Sequence, residues 1–328
     1  MKRRDVIKAA AGAAALAAFG SRAQAQAAWP AQDKTVKVIV PWPPGAANDA
    51  LGRLIAERIR AKFGCTTVVE NRAGGAGLLG TRSVIQAEPD GYTLLASAFN
   101  TAVMPMVLKA ADFNPEVDLE FVGRTAMAPL VCVISAAMPQ KTLAEIVTAA
   151  KADPSKWNFA ISSMGSAGHL ATIEFLRRTG APIPMVPYKG TVPALQDIMG
   201  GAVQLLIDPS FALLPAAKDP GKVRAIGIAT PKRSVLAPDV PTMAEAGLPG
   251  FEFYSWYGIW APKGTPREIQ VSINTVIQEA MRDPEVVKRL TGSLLEPVAE
   301  SIEDSRKFIR SEVVRGGELL KSVNFERS

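Results

Sequence analysis

The fold is decided by the stretch VKVIVPWPPGAANDALGRLIAERI, which runs from Val36 to Ile59. Its first five residues are mostly β-branched, which predicts a strand over 36–40. Pro41 to Gly45 must end that strand, because proline lacks an amide donor and glycine favours turns. Apolar residues then recur at helical spacing from Ala50 onward. The stretch therefore predicts a strand, a tight loop and a helix in succession.

The same alternation continues along the chain. Strands are predicted over 66–69, 92–96, 130–134, 159–161, 185–186, 203–207, 223–229 and 251–260, and helices over 78–86, 143–150 and 169–178. Thr265-Pro266-Arg267-Glu268 is a predicted capping box that opens a further long helix, and the chain ends in helices. Strands that alternate with helices favour a mostly parallel sheet with helices on both faces. With 328 residues, the chain is long enough for two such α/β units.

The loop after the first strand is a candidate anion site. It joins the carboxyl end of a strand to the amino end of a helix, where backbone amides lack intrahelical partners. Gly45, Ala46 and Ala47 are small enough to let a ligand approach the backbone. Asn48 and Asp49 either contact the ligand or cap the helix.

A second loop contains the pattern Gly75-x-Gly77-x-x-Gly80, with Ala76 inside it. This pattern matches a dinucleotide-binding fingerprint, which also needs an acidic residue at the end of the next strand. The nearest acidic residues, Glu88 and Asp90, precede that strand, and no acidic residue stands at its end. An exported NAD(P)-dependent oxidoreductase stays open as an alternative, but a carboxylate-binding loop is favoured and no cofactor is predicted.

Three further candidates lie where predicted strands end. Ser163, Ser166 and His169 belong to a serine- and glycine-rich loop, Tyr188 and Lys189 to a second loop, and Asp208 to a third. Ser166 lacks the flanking glycines of a nucleophile elbow, so a hydrolase is not predicted. One histidine and two cysteines are too few for the usual metal sites, so no metal is expected. The loops favour binding, and the protein is predicted not to be an enzyme.

Residues 1–27 have the parts of a cleaved export signal: a basic start, an apolar run and a small-residue cleavage site. Arg3-Arg4 fits a twin-arginine signal, with an ordinary secretory signal as the alternative. Five basic residues and one acidic residue lie in the first 25 positions, so the net charge of +6 falls to about +2 without them. That balance gives no reason to expect nucleic acid as a partner. A periplasmic protein with two buried free thiols, Cys65 and Cys132, is expected.

The sequence resembles the Bug proteins, extracytoplasmic binding components related to tripartite tricarboxylate transporters. The residues that carry the resemblance are Pro43-Pro44-Gly45 with Asp49, Glu70-Asn71-Arg72 with Gly74 and Gly77, Gly165-Ser166 with His169-Leu170-Ala171, Pro187-Tyr188-Lys189-Gly190, Pro238-Asp239-Val240-Pro241-Thr242 and Ala261-Pro262-Lys263-Gly264-Thr265-Pro266. The resemblance extends from about Val36 to the last helix.

The resemblance implies a type II periplasmic-binding fold with a ligand cleft between two α/β lobes. Lobe 1 is expected over 28–130 and 256–328, and lobe 2 over 131–255. A ligand carboxylate is expected at the first two loops, partly through water, in a monomer that closes by a hinge. Membrane transporter subunits or a sensor kinase are the candidate partners. A ligand-free binding-fold protein with an assembly or regulatory role is a further alternative.

The sequence departs from the family pattern in the first loop. Ala46-Ala47-Asn48 stands where the family usually has glycine and hydroxyl residues, and Leu78 stands where a polar residue is frequent. The expected ligand is a di-, tri- or aromatic carboxylate. Because these changes make the predicted pocket more apolar, an aromatic acid or a monocarboxylate is favoured. Trp42 and Tyr188 are the candidate stacking partners.

Overall fold

A computed structural model describes residues 29–219 and 221–328. The predicted export signal, residues 1–27, lies outside the described residues. The strands are β1 (Thr35–Val40), β2 (Thr66–Asn71), β3 (Thr93–Ala98), β4 (Leu119–Ser135), β5 (Phe159–Ile161), β6 (Met185–Pro187), β7 (Leu205–Pro209), β8 (Val223–Ile228), β9 (Tyr254–Pro262) and β10 (Glu296–Pro297).

Most of the helices follow a strand along the chain. The helices are α1 (Ala47–Phe63), α2 (Leu78–Ile85), α3 (Phe99–Val107), α4 (Leu143–Ala152), α5 (Ala167–Thr179), α6 (Thr191–Met199), α7 (Ser210–Ala217), α8 (Arg267–Arg282), α9 (Pro284–Gly292) and α10 (Ile302–Ser322). None of the helices in the described ranges is both long enough and apolar enough to cross a bilayer.

The strands lie in the order β2-β1-β3-β9-β4-β7-β5-β6, and β8 and β10 also pair with β4. Pairing is parallel in β2-β1-β3 and in β7-β5-β6. The prediction of a mostly parallel sheet is wrong for the middle of this order. There β9 runs antiparallel to β3 and β4, and β4 runs antiparallel to β7 and β8.

Strand β4 joins the two halves of the molecule. Its residues up to Pro129 pair with β9, where Pro129 lies opposite Tyr254. From Leu130 onward it pairs with β7 and β8, beginning with Leu130 opposite Pro209. We call the half built on β1, β2, β3 and β9 lobe 1, and the half built on β5, β6, β7 and β8 lobe 2. One continuous strand therefore runs from one lobe into the other.

The apolar core continues behind this crossing. Trp256 is fully buried, and the rings of Phe99, Phe121, Trp260 and Phe308 lie 5.9–6.0 Å from it. Helix α10 also crosses between the lobes, because a Cβ at Gly316 would lie 3.2 Å from Leu170 of α5 and 3.3 Å from Val103 of α3. The two thiols, Cys65 and Cys132, are free and buried.

Candidate functional site

A cleft lies between the two lobes. Helices α1 and α3 of lobe 1 and helices α5, α6 and α7 of lobe 2 all begin at this cleft. Seven of the residues predicted to form the site line it: Trp42, Ala46, Ala47, Asn48, Ser163, Ser166 and Asp208. Helix amino termini present unpaired amides and a positive dipole end, so the cleft is suited to an anion.

The lobe 1 wall offers polar groups that no described residue satisfies. The indole Nε1 of Trp42 and the Oδ1 of Asn48 are buried without a hydrogen-bond partner among the described residues. Ala46 is the N-cap of α1 and provides no side-chain cap, which leaves the first-turn amides of Ala47 and Asn48 to a ligand or water. Buried polar groups are nearly always paired in folded proteins, so these groups are open to a ligand atom or a water molecule.

A hydrogen-bonded network holds the first loop in place. The Asp49 carboxylate accepts from the Gly45 amide at 3.3 Å, from Arg53 Nε at 3.1 Å and from Asn71 Nδ2 at 3.0 Å. Asn71 Nδ2 also donates to the Trp42 carbonyl at 3.0 Å. Burial raises the pKa of Asp49, but these hydrogen bonds outweigh it and the pKa lies below its ordinary value. Asp49 is therefore placed beneath the loop and not on the cleft wall.

Gly45 serves the same loop through its backbone. Its φ of +97° is a conformation that residues with side chains rarely adopt, whereas a Cβ at this position would meet nothing within 4 Å. Glycine is required here by the turn, and the space around its Cα is open. The structure does not place Gly45 among the cleft-lining residues.

The Gly75–Gly77 loop lies behind the cleft wall. It forms a single 3₁₀ turn, and the Ala76 carbonyl accepts a hydrogen bond from Asn100 Nδ2 at 3.3 Å. A Cβ at Gly77 would lie 3.1 Å from the Trp42 ring and 3.3 Å from Asn100 Nδ2. This loop therefore packs behind two cleft side chains and is not itself among the residues that line the cleft.

The lobe 2 wall is built around Asp208, which is 1% exposed. Ser162 Oγ donates to its Oδ1 at 2.9 Å, and Thr191 Oγ1 donates to its Oδ2 at 2.5 Å. Burial raises the pKa of Asp208 to about 6, and the two hydroxyl donors lower it only in part. Ser166, which caps α5 by accepting from the His169 amide, lies on the same wall.

The remaining predicted residues lie away from the cleft. His169 is fully buried, its Nδ1 accepts from the Gly165 amide at 3.1 Å, and burial lowers its pKa to about 4. The Tyr188 hydroxyl donates to Asp197 at 2.7 Å, and burial with this contact raises its pKa to about 12. Lys189 is exposed. The structure does not place any of these three side chains on the cleft wall.

Sequence reasoning missed several residues of the cleft. The missed residues that line it include Pro43, Ala98, Asn100, Ser162, Gly190, Thr191, Val192, Phe211, Ser255 and Tyr257. Asn100 follows the end of β3, and Thr191 and Phe211 lie in the first turns of α6 and α7. Ligands of open α/β sheets bind beyond the carboxyl ends of strands. A consistent use of that rule would have found these three residues.

Two α/β lobes joined by a shared strand, with a donor-lined cleft between them, define a solute-binding protein. The chain belongs to the tripartite tricarboxylate transporter family receptors, whose family model matches residues 51–325. The resemblance seen in the sequence is confirmed by this match. The family is one of receptors and not of enzymes.

A curated relative is Protein BugT of Bordetella pertussis, which is 36% identical over 292 residues, or 88% of this chain and 89% of that protein. Among solved structures, the periplasmic binding protein BugD is 30% identical with a TM-score of 0.84, over 90% of this chain and 99% of BugD. Rpa4515 of R. palustris with adipate is 32% identical with a TM-score of 0.85, over 90% of this chain and 98% of that chain. The predicted fold class is confirmed.

These matches support the solute-binding interpretation and neither of its two alternatives. The packing of the glycines in the dinucleotide fingerprint agrees with this interpretation. A Cβ at Gly80 would lie 2.8 Å from the Pro41 side chain, so this glycine allows α2 to pack against the first loop. Packing against Trp42 and Pro41 therefore accounts for Gly77 and Gly80 of the fingerprint.

Proposed function

We propose that the protein captures a small organic carboxylate in the inter-lobe cleft and releases it to a partner in the periplasm. The observation that carries the proposal is the lobe 1 wall, where the Trp42 indole nitrogen and the first-turn amides of α1 belong to cleft-lining residues and have no acceptor among the described residues. No lysine, arginine or histidine lines the cleft within the described part of the chain. Neutral donors and helix dipoles would therefore hold the anion.

Closure of the lobes is part of this proposal. The hinge is proposed where β4 changes partner near Leu130 and where the chain returns near Tyr254, with lobe 1 over 28–130 and 256–328 and lobe 2 over 131–255. The Leu130 amide donates to the Phe253 carbonyl at 3.1 Å, which links the two crossing segments. A Cβ at Gly190 would lie 3.8 Å from Pro43, so loops of opposite lobes come close over the cleft.

The remaining parts of the proposal concern the cell. We propose that residues 1–27 direct export and are removed, that the mature monomer carries out no catalysis, and that membrane transporter subunits or a sensor kinase receive the ligand. The family match and the relative named as a periplasmic binding protein support this placement.

A ligand screen with the mature protein, residues 28–328, tests the proposal. Melting temperatures are measured against di-, tri- and aromatic carboxylates and against NAD and NADP, and hits are confirmed by calorimetry. We expect at least one carboxylate to raise the melting temperature, because a ligand that binds the folded state stabilises it. A response to the dinucleotides alone, or to none of the acids, would contradict the proposal.

A pair of tryptophan variants tests the site. Trp42→Phe removes the unpaired indole donor and should cost about 1.5–3 kcal/mol of binding free energy if that donor meets a carboxylate. Trp29→Phe is the matched control, because its Nε1 is also buried without a described partner but it does not line the cleft. Equal affinities for the two variants would remove Trp42 from the site.

A further inference from the structure

The two walls of the cleft differ in electrostatic character. On lobe 1, the amides at the start of α1 and α3 and the Trp42 indole provide donors, Asn48 adds an unpaired acceptor oxygen, and no carboxylate of the described residues lines this wall. On lobe 2, the helices α5, α6 and α7 also begin at the cleft, and the charged side chain that lines this wall is Asp208. A ligand that spans the cleft therefore meets helix amino termini on both walls, but a carboxylate on the lobe 2 wall alone.

The charge of Asp208 has no cationic partner among the described residues. Its two described side-chain donors, Ser162 and Thr191, are neutral hydroxyls. The helix α5 amino terminus lies close by, because a Cβ at Gly168 would be 2.8 Å from Asp208 Oδ1. Dipoles and hydroxyls help to keep the carboxylate ionised but supply no full positive charge. The pKa of Asp208, which burial raises to about 6, agrees with a carboxylate that has no paired cation.

The other ionisable side chain on the cleft wall does not alter this balance. Burial, together with the nearby Asp208 charge, raises the pKa of Tyr257, so its phenol is neutral near neutral pH. Between the two walls the lining is apolar, with Val192, Phe211 and Ala212 among its members. The cleft thus consists of an anion-binding end, an apolar middle and an anionic end.

We propose that the solute is an amino carboxylate whose carboxylate binds at lobe 1 and whose ammonium group, separated from it by an apolar spacer, pairs with Asp208. This inference rests on the proposed function and narrows its ligand class. A cation beside a buried, unpaired carboxylate recovers Coulomb energy in a medium of low dielectric constant, whereas a second carboxylate there is repelled. The solute would differ from adipate, the dicarboxylate named with the R. palustris relative.

Two series of acids of matched length test this inference by calorimetry on the mature protein. One compares γ-aminobutyrate, γ-hydroxybutyrate, butyrate and succinate. The other compares para-(aminomethyl)benzoate, para-(hydroxymethyl)benzoate, para-methylbenzoate and terephthalate. In at least one series we expect the amino acid to bind about tenfold or more tightly than its three analogues. A hydroxy acid or diacid that binds as tightly as the amino acid would overturn the inference and leave the proposed function intact. Failure of every carboxylate in these series and in the wider panel would overturn both.

A variant pair locates the effect. Asp208→Asn should weaken binding of the amino acid by about tenfold or more and leave the diacid equal or tighter, because the charge is lost while the shape stays similar. Asp239→Asn makes the same change at an exposed position away from the cleft and should alter neither affinity. Retained ammonium preference in a folded Asp208→Asn protein would overturn the inference. If that variant does not fold, the two ligand series on the unaltered protein still decide.

Discussion

At the scale of single residues, Gly77 shows how a residue outside the cleft can control it. Its φ is +96°, and a Cβ would press on both Trp42 and Asn100. Gly77→Ala should therefore cost about 1–3 kcal/mol of stability through backbone strain and also weaken ligand binding by displacing the two side chains. Calorimetry and thermal unfolding measure the two effects separately.

Gly264→Ala is the control for backbone strain alone. Gly264 has a comparable φ of +85°, but its Cβ would make an ordinary contact at 3.9 Å with Pro89, and it does not line the cleft. It should lose stability and keep ligand affinity. If Gly77→Ala also kept full affinity, the supporting role of the Gly75–Gly77 loop would be wrong.

His169 gives a prediction for pH. Burial lowers its pKa from 6.5 to about 4, so the folded protein keeps it neutral while the unfolded chain takes up a proton below about 6.5. The free energy of unfolding should therefore fall by about 2 kcal/mol through this group as pH drops from about 7 to about 4.5. Above pH 6.5 the group has no effect.

Asp208 opposes this trend. Its pKa is raised from 3.8 to about 6, so between these pH values the folded state binds more protons than the unfolded state and gains stability as the pH falls. The comparison is therefore made with His169→Gln, which retains Asp208. The loss of stability on acidification should be smaller in His169→Gln than in the unaltered protein. Identical pH profiles of the two proteins would show that His169 does not cause the loss of stability at low pH.

At the scale of elements, the loop between β1 and α1 is fixed from β2. Asn71, the last residue of β2, donates to both the Trp42 carbonyl and Asp49. Asn71→Ala should release the loop and weaken ligand binding by about tenfold, because binding must then order it again. Calorimetry measures the affinity, and Asn114→Ala at an exposed position is the control. Unchanged affinity in Asn71→Ala would show that the loop is rigid without the network.

Most elements could be predicted because their periodicity and their ends are local. The predicted strand over 159–161 is observed without change, and the helix predicted over 169–178 begins two residues earlier, at Ala167. Helices α3, α6 and α7 were missed. They contain Pro105, Pro193 and Pro215, and proline inside a short apolar segment indicates an interruption when the sequence alone is considered.

The predicted capping box at Thr265 is wrong in its hydrogen bonds. Helix α8 begins at Arg267, and the Thr265 hydroxyl donates to the Pro262 carbonyl at 2.8 Å instead of capping the helix. The sequence also does not give the direction of side chains near the cleft. It places Tyr188 and Lys189 next to a strand end, but the Tyr188 side chain is directed to Asp197 and the Lys189 side chain to solvent.

At the scale of the whole molecule, the C-terminal tail connects the lobes. The Ser328 amide donates to the Val107 carbonyl of lobe 1 at 3.1 Å, while the Phe325 ring lies 5.5 Å from the His169 ring of lobe 2. Phe325→Ala should therefore favour a more open unliganded protein and reduce ligand affinity, because less of the population is closed. Small-angle scattering without ligand should give a larger radius of gyration.

Phe63→Ala removes a half-buried ring that packs against Trp29 within lobe 1 and serves as the matched control. It should leave the radius of gyration unchanged. A Phe325→Ala protein with the same radius and affinity as the unaltered protein would show that the tail does not influence closure.

The pairing of β3 with β9 bears on the order in which the chain can fold during synthesis. Leu95 pairs with Trp260, so the inner edge of β3 stays unpaired until about 160 further residues have left the ribosome. Lobe 2, whose sheet uses β4 to β8, is complete earlier and can form first. Until β9 is synthesised, the nascent chain exposes a strand edge that is paired in the folded protein, and such an edge promotes aggregation.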